Sequence, residues 1–161
     1  MKMINKSLKV ICNIILTTII IFGIIFVGLF CFGIVPYVVE SGSMEPDIKT
    51  GSICFINKNA KYEDMQVGDV IAFEINSGAF ATHRIVSISN EGFTTKGDAN
   101  NLVDSIITTR DNFIGKNVIS IPNVGIIIKV LQTAKGRVIL TTIIVALLAL
   151  AILIGKPEKN S

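Results

Sequence analysis

The chain has 161 residues, half of them hydrophobic, with a net charge of +3 and a mean hydropathy of +0.65. That hydropathy excludes an ordinary soluble domain, and the scattered lysines give no basic patch for nucleic acid. The three cysteines form no CxxC or Cys/His cluster, so neither a disulfide framework nor a zinc site is expected, and no cofactor is implied.

The first element is the uncharged run from Val10 to Val35, preceded by Lys2, Lys6 and Lys9. As a helix it spans roughly 39 Å, enough to cross a bilayer. A cleavable leader has a shorter apolar core and a small-residue exit, and Gly33-Ile34-Val35-Pro36-Tyr37 offers none, so a retained anchor is expected. Val138 to Ile154 is a second uncharged run, roughly 25 Å as a helix, which crosses only with help from its flanks. Lysines at both ends (Lys156 and Lys159 after the second run) put both termini in the cytoplasm and the middle outside. Lys135 and Arg137 oppose this, and one anchor with an interfacial C-terminal helix is the alternative topology.

The expected organisation is residues 1–35 as cytoplasmic start and anchor, 36–135 as an extracytoplasmic β domain, 136–155 as a second transmembrane helix and 156–161 as a cytoplasmic tail. Within the middle, Gly51 to Ile56 and Asp69 to Ile75 read as strands, and Asn76-Ser77-Gly78 as a turn. Thr82 to Ser89 alternates, and Asn90-Glu91-Gly92 leads as a hairpin connection into Phe93 to Lys96. Asn112 to Ile121 supplies one or two further strands, broken by Ile121-Pro122-Asn123-Val124-Gly125 before Ile126-Ile127-Ile128. No helical periodicity of useful length occurs here. The fold class is mainly β, flanked by apolar helices.

Three short stretches carry possible chemistry. Ser43, in Ser41-Gly42-Ser43-Met44-Glu45-Pro46, is either a turn serine or a nucleophile, and a hydroxyl needs a base beside it. The only histidine, His83 in Ala81-Thr82-His83-Arg84, is either a half-exposed strand residue or that base. A buried lysine is the other route to a base, with Lys58, Lys61 and Lys96 as candidates. Lys58 and Lys61 lie in a polar, loop-like stretch, which favours His83. Asp98 and Asp104 are both candidates for orienting the imidazole, and Asp98 also fits a turn in Lys96-Gly97-Asp98-Ala99-Asn100-Asn101.

These segments, with Gly68-Asp69-Val70-Ile71-Ala72-Phe73 and Ile121-Pro122-Asn123-Val124-Gly125, occur in the order and spacing of a known family. The chain resembles type I signal peptidases, in particular the endoplasmic-reticulum type also found in archaea and some sporulating Gram-positive bacteria. The resemblance runs from the first apolar run to about Lys129. It implies a membrane-bound serine endopeptidase that removes signal peptides from secretory preproteins at the outer face of the cell membrane. Ser43 would be the nucleophile and His83 would replace the lysine base of the ordinary bacterial type. Asp104 would orient His83, with Asp98 supporting or sharing that role. Ser41 and the Ser43 N–H would stabilise the oxyanion, and the Gly68-Asp69-Val70 segment and Arg84 would frame the site. Ala99 departs from the Asn that many relatives carry, and a second C-terminal span occurs in only some of them. The implied partners are preproteins and the lipid bilayer, with association with secretion machinery left open.

Two other readings stand beside this one. A self-cleaving repressor-type serine peptidase would use a lysine and carry a DNA-binding domain. A membrane-anchored β module without catalysis would bind partners through the same scaffold.

Overall fold

The computed structural model of the chain describes residues 2–76 and 78–155. Ser77 of the expected turn, and Lys156 and Lys159 of the orientation argument, lie outside the described residues. The chain divides into two units, one formed by Met1–Gly28 with Lys129–Ser161, the other by Leu29–Ile128.

The first unit is helical. Helix α1 covers Lys2–Cys31, and its 22-residue Val10–Cys31 stretch has a mean hydropathy of 2.9 and is exposed or half-exposed throughout, apart from the buried Cys12. Among the described residues it is the one helix long and apolar enough to cross a membrane. The apolar run of the sequence extends to Val35, but the helix stops earlier. Gly33 adopts φ +72° and its N–H donates to the Phe30 carbonyl, the left-handed glycine that terminates a helix. A side chain at Gly33 would also collide with Asn59, whose amide holds the Phe32 carbonyl. The C-terminal run forms a helix over Ala134–Gly155.

The second unit is an antiparallel sheet of six strands: β1 (Ile34–Val38), β2 (Ile53–Asn57), β3 (Val70–Asn76), β4 (Ala79–Ser89), β5 (Gly92–Lys96) and β6 (Phe113–Ile121). Their spatial order is β1-β2-β6-β3-β4-β5. The expected strands are present, and β1 is an addition, which joins Ile34 and Val35 from the end of the apolar run to Pro36, Tyr37 and Val38. Strand β3 explains the layering. Its continuous run Val70-Ile71-Ala72-Phe73 is buried on both faces, because successive side chains point oppositely. Val70 and Ala72 join Met44, Ile48, Cys54 and Ile56 in one core, while Ile71 and Phe73 join Met65, Ile85 and Phe93 in another.

Helix α2 (Val124–Gln132) is absent from the sequence reading. Three successive isoleucines are β-branched and favour strands, but Asn123 at φ +65° turns the chain, and the Gly125 N–H then bonds to the Gly51 carbonyl. A methyl at Gly125 would lie 2.7 Å from that carbonyl oxygen, so the close approach selects glycine. A short 3₁₀ turn covers Tyr62–Asp64, where Tyr62 stacks on Phe93 at 4.1 Å.

Candidate active site

Ser43 sits on a tight loop that is fastened from three directions. From below, its neighbour Met44 and the loop's Ile48 are buried in the first core, and the Ile48 N–H donates to the Met44 carbonyl. On the outer side, Thr50 donates through both its N–H and its hydroxyl to Glu45. These bonds hold the exposed Glu45 carboxyl below its ordinary value, the backbone bond most strongly. From the facing loop, the Ala99 N–H donates to the Ser43 carbonyl at 2.9 Å. A Cβ at Gly97 would stand 2.5 Å from that same carbonyl oxygen, so only glycine lets the two loops meet.

His83 lies on β4 opposite Ile71 of β3, with its ring edge-on to Phe73 at 6.1 Å. Its Nε2 is 3.0 Å from Ser43 Oγ, and its Nδ1 is 2.7 Å from Asp104 Oδ2. An ionised carboxylate can only accept, so Nδ1 carries the proton and Nε2 is left to accept from the Ser43 hydroxyl. Side-chain exposures of 12% for His83 and 18% for Asp104 keep this pair largely out of water, where a charge-assisted bond is stronger. The line Asp104–His83–Ser43 thus joins residues from three separate stretches. Such a line can draw a proton from a hydroxyl and hold it while the oxygen attacks a carbonyl.

Ser41 Oγ is 3.2 Å from Ser43 Oγ, on the same loop, so a second hydroxyl lies beside that of Ser43. Asp98 is directed elsewhere. Its two oxygens accept from Arg84 Nε at 2.9 Å and Nη2 at 2.7 Å. Arg84 also reaches Asp47 at 2.7 Å and the Gly68 carbonyl at 2.9 Å. Asp98 is thus placed with Arg84, and it is Asp104 that His83 meets: consecutive strand residues point to opposite faces, and Asp98 follows Arg84, not His83. Bonding to Asp98 raises the Arg84 pKa further above its ordinary value, desolvation opposes this, and Asp47 adds to the rise.

The lysine alternatives are placed as follows. Lys58 Nζ sits over the Tyr37 ring at 5.9 Å, Lys61 precedes the 3₁₀ turn, and Lys96 pairs with Arg84 across β4 and β5. The sequence reading overlooked Thr95. Its hydroxyl donates to Asp104 Oδ2 at 2.6 Å, and the Asp104 N–H donates back to the Thr95 carbonyl at 2.8 Å. One signal was available: the strand period puts Thr95 on the face of buried Phe93, where a polar side chain requires a partner.

A cavity of about 700 Å³ opens beside Ser43 and His83. Tyr37, Met44, Ile48, Ala72 and Phe80 make its wall mostly apolar, with Tyr37 and Phe80 in edge-to-face contact at 5.8 Å. Buried Cys54 also lines it; burial raises its thiol pKa, and the bond with Ser120 partly offsets this. Among the described residues, no three His, Cys, Asp or Glu side chains gather as metal ligands would.

The chain matches a family described as signal peptidase, peptidase S26, over residues 11–128. It is also similar to signal peptidase I W of Bacillus subtilis (strain 168), with 40% identity over 85 residues. That similarity covers 50% of this chain and 45% of the relative, so the chain spans about half the length of the protein it matches. The family match takes in the serine loop, the histidine strand and the aspartate loop together, and on that ground the chain belongs to the signal peptidase family, peptidase S26.

Proposed function

We propose that the protein is a membrane-bound serine endopeptidase that removes signal peptides from secretory preproteins by acyl transfer. The observation that carries this reading is the continuous contact from Ser43 Oγ through His83 to Asp104 Oδ2, at 3.0 and 2.7 Å, beside an apolar cavity.

Ser43 Oγ attacks the carbonyl carbon of the substrate residue at position −1, while its proton passes to His83 Nε2. Asp104 keeps the imidazole in the right tautomer and stabilises the cation that forms. The Ser41 hydroxyl and the Ser43 N–H take up the charge on the carbonyl oxygen as the tetrahedral intermediate develops. His83 then gives the proton to the leaving amine, which frees the mature protein. Water, deprotonated by the same imidazole, releases the signal peptide from Ser43. The apolar wall suits small side chains at positions −1 and −3, and β1, an edge strand, offers backbone groups to an extended peptide.

The Val10–Cys31 helix serves as the anchor, and the sheet unit faces outward. A preprotein carries its own apolar segment in the bilayer. Ser43 follows the end of α1 by at most about 43 Å of extended chain. Confining enzyme and substrate to one membrane raises their effective concentration.

The test is cleavage of a preprotein with a small-x-small exit by the full chain in detergent, with the new N-terminus identified by mass spectrometry. Cutting after the small residue by the wild type, abolished in Ser43→Ala, is expected. Equal cutting by both proteins would refute the assignment.

A further inference from the structure

We infer that Thr95 is a positioning residue for the reaction, acting through Asp104 to hold His83 in line with Ser43. This rests on the proposed role of the Ser43–His83–Asp104 line and adds a fourth member to it.

The argument starts from where Thr95 lies. Strand β5 places Phe93 and Thr95 on one face, and Phe93 packs in the core with Met65, Ile71, Phe73 and Ile85. Thr95 pairs with Ile85 across the ladder and is 0% exposed. A valine would suit that environment as well as threonine does, since the two have the same shape. A buried hydroxyl without a partner is costly, so its partner explains its presence. That partner is Asp104 Oδ2, the same oxygen that His83 Nδ1 engages.

Thr95 grips Asp104 twice, and the two grips do different work. Main-chain pairing continues beyond Asp104: its N–H bonds to the Thr95 carbonyl, and Thr108 and Phe93 exchange N–H to carbonyl bonds at 2.9 Å each. Those bonds lay the 104–108 segment beside β5 and fix where Asp104 starts. They leave the carboxylate free to rotate about its own side-chain bonds. The Thr95 hydroxyl removes that freedom, and β-branching limits its own rotation. Oδ2 is therefore presented to Nδ1, and Nε2 is turned to Ser43. Loss of the hydroxyl leaves the backbone pairing intact and frees the carboxylate alone.

Thr95→Val isolates this contribution, and Thr95→Ser restores the donor without the methyl. With the full chain in detergent and a preprotein substrate, Thr95→Val should lower kcat about ten- to a hundredfold, the range of one hydrogen bond to a charged group, with KM within about twofold of wild type. Thr95→Ser should recover most of the rate. Because His83 is the only histidine, ¹⁵N-histidine labelling reports this one ring. Its Nδ1–H proton signal should shift or broaden in Thr95→Val and return in Thr95→Ser. Thr95→Cys, the thiol counterpart of the serine variant with a poorer donor, carries the same expectation as the valine variant if that one does not fold.

A wild-type kcat in Thr95→Val would overturn the inference. So would equal losses in the valine and serine variants, or a lowered kcat with an unchanged His83 signal. Asp104→Asn and His83→Ala belong in the same assay. If they too keep the wild-type rate, the underlying mechanism fails; if they lose it while Thr95→Val does not, only the role of Thr95 fails.

Discussion

His83 and Arg84 are neighbours on one strand, each bound to aspartate, and the two clusters they build are opposite in kind. Arg84 spreads its donors over Asp98, Asp47 and the Gly68 carbonyl, so that its cluster joins three loops. His83 bonds to one carboxylate oxygen and turns its second nitrogen to a hydroxyl beside an open cavity. A permanently charged guanidinium with two carboxylates cannot move a proton at working pH. A neutral imidazole between a carboxylate and a hydroxyl is arranged to do so. Charge content alone does not separate structure from chemistry here; the residue type and what its last free atom faces do.

Substitutions can sharpen that contrast. The largest effect short of removing the nucleophile or base is expected at Asp104. Asp104→Asn should lower kcat by about 10⁴-fold, because the amide favours the wrong tautomer of His83. Asp98→Asn in the same assay should leave most of the rate and lower the unfolding temperature instead. Equal kcat losses at the two aspartates would erase the distinction.

Ser41→Ala follows, with an expected loss of about 10²–10³ in kcat and little change in KM, measured by steady-state cleavage. Gly97→Ala should come next, at about 10²-fold or less. Its new methyl must push on the Ser43 carbonyl, and displacing a reacting group by an ångström is that damaging. Arg84→Lys tests the structural cluster from the other side. A lysine cannot fork across Asp98, so stability should fall by about 1–2 kcal/mol, discounted for partial exposure, with kcat changed by less than about threefold.

The smallest effect concerns Cys54. Burial raises its thiol pKa in the folded protein, so the unfolded chain releases that proton at lower pH. The contribution to stability is fully present below the ordinary thiol pKa and is lost as pH rises from there through the raised value of the folded protein. Alkylation at mildly alkaline pH should be slow at Cys54 in the native protein and fast in denaturant, as read by mass spectrometry. Equal rates would place the thiol in water.

Much of this was legible in the sequence because it depends on local pattern. Apolar runs marked the two long helices, and Asp69 to Ile75 read as a strand. The order of Ser43, His83 and a following aspartate, Asp98 or Asp104, marked the candidate line. What was not legible depends on contacts between distant segments. Strand β1 begins inside the apolar run, where Gly33 ends the helix although Gly23 and Gly28 before it do not. Helix α2 is hidden under three β-branched isoleucines. Asp98 and Asp104 stand six positions apart in one loop, and only the return of 104–108 along β5 separates their partners. Thr95 was missed because a threonine in a strand is ordinary until its face is known.

The central claim is that an imidazole, not a lysine amine, draws the proton from Ser43. The direct measurement is the preprotein cleavage rate of His83→Ala beside the single alanine variants at Lys58, Lys61 and Lys96. The account requires His83→Ala to lose at least about 10⁴-fold in kcat while the three lysine variants stay near wild type. Wild-type cutting by His83→Ala, with the rate lost in one of the lysine variants, would contradict it.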